Sequence, residues 1–247
     1  VVTGSNGEAA FLTQEERGRV WETARRAIPA GKLLIAGTGC ESTRQTIALT
    51  RLAAEAGADA ALVVTPHYCA NMVSLQALLG HYQAVADASP IPIILYTVPK
   101  FTHVDLAAAT IASASRHPNI VGVKDSSGDL IMLADTVGLT GPDFQVLAGL
   151  AVGAVGCVPA LGNVAPQEVI DIQHLFQARR TDDAAELQRR MIPVNAAVTA
   201  HFGVPGLEAA LDMLGYYGGP VRALLLDLGE SDRRILQDIL VEGGLLR

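Results

Sequence analysis

Apolar and polar positions follow two rhythms along the chain. Short runs that are apolar at nearly every position fall at residues 1–3, 33–38, 60–65, 91–97, 120–124, 144–148 and 154–158. Most are rich in β-branched residues and apolar on both faces, the pattern of parallel strands covered by helices. Amphipathic segments with helix start and stop signals lie between them. Thr13 to Glu16 has the form of a capping box, with Val20, Trp21 and Ala24 on one face of the helix that follows. A helix is expected from Ser42 to Ala56, closed by Gly57, which can take the left-handed conformation. Others are expected from Ser74 to Ala88 and from Asp105 to the neighbourhood of His117-Pro118. After Val164 the strand pattern stops. Four helices in succession are predicted there, over 166–179, 182–200, 206–214 and 231–241.

The β-α-β-α order predicts an α/β fold with a parallel sheet. Right-handed crossovers allow a closed barrel or a doubly wound sheet. Polar residues at the strand ends decide between them. Thr3 leads into Gly4-Ser5-Asn6-Gly7-Glu8, Thr38 into Gly39, and Thr65 into Pro66-His67-Tyr68. Tyr96 ends the fourth run and Lys124-Asp125-Ser126 the fifth. Chemistry spread evenly over five strand ends favours the C-terminal face of a (β/α)8 TIM barrel over a single switch point. The expected division is a barrel over 1–164 and, over 165–247, the last barrel helix with a helical C-terminal extension.

Composition narrows the function. The chain has 247 residues, a net charge of −7, 50% hydrophobic and 17% charged residues, and a mean hydropathy of +0.32. These values exclude a disordered tail and a basic nucleic-acid binder. Cys40, Cys69 and Cys157 show no CxxC spacing, so reduced thiols are expected. Residues 144–167 carry no charge and are numerous enough to span a bilayer. Gly149, Gly153, Gly156, Pro159, Gly162 and Asn163 interrupt them, so two buried strands with loops are expected and no membrane span. No targeting signal is visible, and the start at Val1 reads as processed, truncated or incompletely recorded.

Lys124 is one of three lysines and follows Ile-Val-Gly-Val inside a strand pattern. Burying an ammonium is costly. A lysine held there tends to lose its proton and become a nucleophile for a ketone. The competing reading is a strand-end lysine whose head reaches solvent, paired with Asp125. Both stay open on the residues alone. Tyr96 reads either as a core aromatic or as a proton relay. Ser5 and Asn6 form either a plain turn or a cradle of donors for a carboxylate. His67 and Cys69 have no further ligands nearby, so no metal is expected. GxxxxGK[ST], GxGxxG after a strand and HExxH are all missing from the sequence.

Several stretches resemble the pyruvate-dependent class I aldolase/lyase family, which includes dihydrodipicolinate synthase and N-acetylneuraminate lyase. They are GSNGE at 4–8, AGTGCEST at 36–43, VVTPHY at 63–68, YTVP at 96–99, GVKDSSGD at 122–129, FQVLAG at 144–149 and FGVPGLEAALDMLGYYGGP at 202–220. The resemblance implies a (β/α)8 barrel with a helical C-terminal extension, assembled as dimers or tetramers and acting on a small oxo-acid without a cofactor. By resemblance, Lys124 forms an imine with the keto acid and Tyr96 shuttles protons. Tyr68 matches a tyrosine that completes a hydroxyl relay across a dimer interface. Ser5 and Asn6 match the carboxylate-binding pair, and Ser126 and Gly149 line the pocket.

Within the family, GSNGE, GCEST, HPNIVGVKDS, DFQVLAG and GYYGGP resemble the 4-hydroxy-2-oxoglutarate aldolase branch. That branch yields pyruvate and glyoxylate in hydroxyproline breakdown. The family's synthases carry an arginine two residues after the YxVP proline, where this chain has Phe101. A 2-keto-3-deoxy sugar-acid aldolase is the other enzymatic reading. The animal-type resemblance implies the mitochondrial matrix, and otherwise the cytoplasm. Against the family pattern, a first strand-helix unit is missing before GSNGE, and the segment after Gly149 is short by part of the seventh unit. A non-catalytic paralogue or splice form is therefore a further alternative.

Overall fold

A computed structural model of the chain describes residues 1–140, 143–147 and 149–246. Two compact units make it up: Val1–Gly4 with Leu12–Val158, and Ser5–Phe11 with the chain from Pro159 onward.

The first unit is built on α1 (Gln14–Ala27), β1 (Ile35–Gly37), α2 (Thr43–Glu55), β2 (Ala60–Val64), α3 (Leu75–Ala88), β3 (Ile93–Thr97), α4 (Pro99–Thr102), α5 (Ala108–Ala114), β4 (Ile120–Asp125), α6 (Leu130–Leu139) and β5 (Gln145–Leu147). The five strands pair in parallel in the order β1-β2-β3-β4-β5. Single parallel bridges continue the sheet at both edges, Val2 to Ala36 and Leu147 to Gly156. Sequential order without reversal means right-handed crossovers place every helix on one face. That face packs Ala61, Val63, Ile93, Leu95, Val123 and Val146 against the helices. On the opposite face Ala60, Leu62, Ile94, Tyr96 and Val98 pack on one another. A sheet whose inner face buries itself is curling into a barrel.

The helices start where the chain's caps place them. Thr13 and Glu16 form both bonds of the capping box. Ser42 accepts from the Gln45 amide at the start of α2 and Ser74 from the Ala77 amide at the start of α3. Gly57 closes the second helical stretch at φ +87°, as expected. Trp21 is fully buried, and its indole N–H donates to the Thr3 hydroxyl at 2.7 Å. That hydroxyl donates to the Gly37 carbonyl at 3.0 Å, tying the entry to GSNGE to α1 and β1.

Several expected boundaries shift. The run at 1–3 pairs only at Val2, and the run at 154–158 only at Gly156. Of the run at 144–148, β5 takes Gln145–Leu147, and Ala148 lies outside the described residues. Leu33 is exposed rather than in the strand, and β1 begins at Ile35. The helix expected from Asp105 begins at Ala108; ahead of it, Pro99–Thr102 forms a short helix ending in left-handed His103. α6 was not expected. After Gly149 the chain makes one 3₁₀ turn, Leu150–Val152, before the Gly156 bridge.

The second unit holds α7 (Pro166–Gln177), α8 (Thr181–Ala196), α9 (Gly203–Met213) and α10 (Glu230–Glu242). A π-turn, Ala197–His201, follows α8, which contains Pro193. Met191, Val194, Val198, Ala210, Leu236 and Leu240 form its core. α9 begins earlier than expected because Pro205, in its first turn, has no amide to leave unbonded there. Among the described residues, no helix is long and apolar enough to cross a membrane.

Candidate active site

The end of the parallel ladder sets out the polar residues row by row. Val64, Tyr96, Lys124 and Leu147 stand in register on β2, β3, β4 and β5. Tyr96, Val64 and Leu147 belong to the inner cluster, so this row faces the inside of the curling sheet. Lys124 places its Nζ 4.1 Å from the centre of the Tyr96 ring. The amine thus sits against a phenol 5% exposed to solvent, an apolar wall with a hydroxyl at its tip. Gly122 precedes Lys124 by two positions and so shares its face. A Cβ at Gly122 would overlap the Gln145 carbonyl oxygen, so glycine lets β5 close in beneath the amine.

One residue further on, the side chains alternate to the other face. Thr97 stands opposite Asp125, and the Thr65 amide donates to the Tyr96 carbonyl at 3.1 Å. The Thr65 and Thr97 hydroxyls and Asp125 Oδ2 are buried without a hydrogen-bond partner among the described residues. Asp125 Oδ1 accepts from the Ser127 amide at 2.6 Å, and the Ser126 amide donates to the Thr97 carbonyl at 2.9 Å. These bonds turn the chain after Lys124 into the Asp129 cap of α6. Ser126 is exposed on that turn. Gly149 is half-buried beside Leu133 and Leu130 of α6.

Tyr68 lies in the loop after β2 and is 87% exposed. Its amide donates to Glu41 Oε2 at 2.9 Å, as the His67 amide does at 3.0 Å. Glu41 Oε1 also pairs with His67 Nδ1 at 2.9 Å. His67 is therefore a partner of a carboxylate. Among the described residues no three His, Cys, Asp or Glu side chains gather to hold a metal. Ser5 and Asn6 open a 3₁₀ turn, Ser5–Gly7, and both are half-buried in the second unit. Glu8 follows them and accepts from the Arg222 amide at 2.8 Å. Phe101 is 52% exposed, with the Lys100 ammonium 5.4 Å from its ring centre.

Among the electrostatically displaced groups are Glu208 and His81. Burial, then the charges of Glu8 and Asp212, push the Glu208 carboxyl up to about 7. Burial lowers the pKa of His81, against the opposing charge of Glu41. Glu41 was the residue that sequence reasoning passed over. It stood in GCEST without a role, because a glutamate just before a helix cap reads as a solvated side chain.

A parallel barrel with an amine and a phenol side by side at neighbouring strand ends defines a class: a (β/α)8-barrel enzyme working at the C-terminal face. The family model described as the Dihydrodipicolinate synthetase family matches residues 1–242, and the chain belongs to that family. Its members are carbon–carbon lyases and synthases that form Schiff bases with pyruvate, and the fold is the family's (β/α)8 barrel with a helical C-terminal part. The chain is 36% identical over 258 residues to 4-hydroxy-tetrahydrodipicolinate synthase of Rhodospirillum centenum, covering 100% of this chain and 87% of that protein. It is similar to the chloride-inhibited dihydrodipicolinate synthase of Acinetobacter baumannii complexed with pyruvate, at 32% identity and a TM-score of 0.93, over 99% of this chain and 86% of that one. A monomeric dihydrodipicolinate synthase variant matches at 28% identity and a TM-score of 0.94, over 99% and 85% of the two chains.

Proposed function

We propose that this chain is a class I aldolase that cleaves 4-hydroxy-2-oxoglutarate to pyruvate and glyoxylate. The observation that carries the chemistry is the Lys124 amine 4.1 Å from the Tyr96 ring centre at adjacent strand ends. The amine attacks the C2 ketone and water leaves, giving an imine. Loss of the C4 hydroxyl proton breaks the C3–C4 bond, and its electron pair passes into the protonated imine as an enamine. Glyoxylate departs. The enamine takes a proton at C3, and water releases pyruvate from Lys124.

Tyr96 is the group that moves the proton at the breaking bond, and Tyr68 of a partner subunit extends the hydroxyl relay. Ser5 and Asn6 hold the substrate carboxylate, with Ser126 and Gly149 at the pocket wall. The enzyme works as a homo-oligomer; the mitochondrial matrix follows only from an animal-type reading, which the prokaryotic relatives do not support, and the cytoplasm follows otherwise.

The relatives named above are synthases, which makes synthesis of 4-hydroxy-tetrahydrodipicolinate the second reading. Phe101 favours cleavage, because a phenylalanine has no charge to offer the second carboxylate that the synthases' arginine binds. Steady-state kinetics decide among the reactions. The kcat/KM for 4-hydroxy-2-oxoglutarate should exceed that for 2-keto-3-deoxy sugar acids, and for 4-hydroxy-tetrahydrodipicolinate formation, by about 100-fold. A preference for either of the others moves the assignment there.

A further inference from the structure

Tyr68 presents a problem of placement. With 87% of it exposed, little of its own chain packs on the ring, so its direction is set by its backbone. The backbone there enters a turn in which the Ala70 amide donates to the His67 carbonyl at 3.1 Å, just before the short turn Ala70–Met72. The amides of His67 and Tyr68 are held instead by a carboxylate from a different βα loop. Glu41 Oε2 accepts both amides, at 3.0 and 2.9 Å, while Oε1 holds His67 Nδ1 at 2.9 Å.

Glu41 is itself rigidly mounted. The Thr46 hydroxyl accepts from the Cys40 amide at 3.1 Å and lies 3.2 Å from the Cys40 carbonyl oxygen. Ser42, the next residue, caps α2, and Thr43 Oγ1 meets buried His81 Nδ1 of α3 at 2.9 Å. An isolated exposed ion pair contributes little to stability. A carboxylate accepting two backbone amides is different, because charge-assisted bonds in this arrangement fix geometry.

We propose that Glu41 is a positioning residue for the reaction: it aims the Tyr68 hydroxyl. The inference rests on the proposed relay role of Tyr68. Misplacing a reacting group by an ångström costs up to about 100-fold in rate, so loss of the strap should be felt in proton transfer and spare imine formation.

The test uses the purified full chain with pyruvate in deuterated water. Exchange of the methyl protons, followed by NMR, reads proton transfer at the enamine, and borohydride trapping reads the Lys124 adduct. Glu41→Ala should slow exchange about 10- to 100-fold while the adduct still forms. Glu41→Gln, which keeps an oxygen for the two amides, should recover most of the rate. Tyr68→Phe should be slow, and the Glu41→Ala/Tyr68→Phe double variant no slower than Tyr68→Phe alone. Exchange at the wild-type rate in Glu41→Ala, or losses that multiply in the double variant, overturns the proposal and leaves the role of Tyr68 standing. Wild-type exchange in Tyr68→Phe overturns the role of Tyr68 and the proposal with it.

Discussion

The Lys124–Tyr96 pair shows how much one row of a sheet can carry. In-register residues on neighbouring parallel strands put an amine against an aromatic face, and the tyrosine contributes both that face and a hydroxyl. Tyr96→Phe keeps the face and removes the hydroxyl. In steady-state assays it should lower kcat by about 10²- to 10⁴-fold and leave the borohydride adduct at Lys124 intact. The sequence made Lys124 visible because a lysine inside an apolar run is rare. Glu41 stayed invisible because its partners are backbone amides 26 and 27 residues away, which no local pattern encodes. Glu208 was half hidden: Asp212 lies four residues on along the same helix, but the burial and the charge of Glu8 come only with the fold. A carboxyl raised to about 7 binds its proton more tightly in the folded chain than in the unfolded one, where its ordinary value is 4.5. Its contribution to stability is complete below pH 4.5 and is lost as pH rises through about 7. Glu208→Gln should therefore melt at a higher temperature than wild type at pH 8, with the gap shrinking toward pH 5. A constant gap contradicts this account.

At the scale of elements, caps were the most legible feature. Thr13, Ser42 and Ser74 each open the helix they announce. α6 was not read, because Leu130–Leu139 is apolar nearly all round and lacks an amphipathic stripe. Its one signal was Asp129, whose Oδ1 accepts from the Ile131 and Met132 amides, both at 3.0 Å. That cap also ends the turn leaving Lys124, so the same carboxylate starts a helix and closes the loop carrying Ser126. Asp129→Ala should destabilise the chain by about 1 kcal/mol in urea unfolding. Asp129→Asn should restore most of that, since the amide oxygen still accepts. The strands were found but drawn too long. Apolar residues such as Leu33 continue past the ladder, and hydropathy does not mark where backbone pairing ends.

For the whole molecule, the alternation of strand and helix predicted a parallel sheet, and polar strand ends on several strands favoured a barrel. The observed strand order without a reversal supplies the reason: each crossover advances one strand, so the sheet curls and every strand brings its C-terminal end to one rim. The family matched over residues 1–242 is one whose members use Schiff-base chemistry with pyruvate. The partition into two units follows contacts that sequence pattern does not contain, since Ser5–Phe11 groups with the chain from Pro159 onward rather than with the strands beside it in sequence. The central claim is that the Lys124 amine forms the imine. It is tested by incubating the chain with pyruvate and borohydride, digesting it and locating the mass increase. The account predicts a single reduced pyruvate adduct on the peptide containing Lys124, absent from Lys124→Ala. An unmodified Lys124, or an adduct that persists in Lys124→Ala, contradicts it.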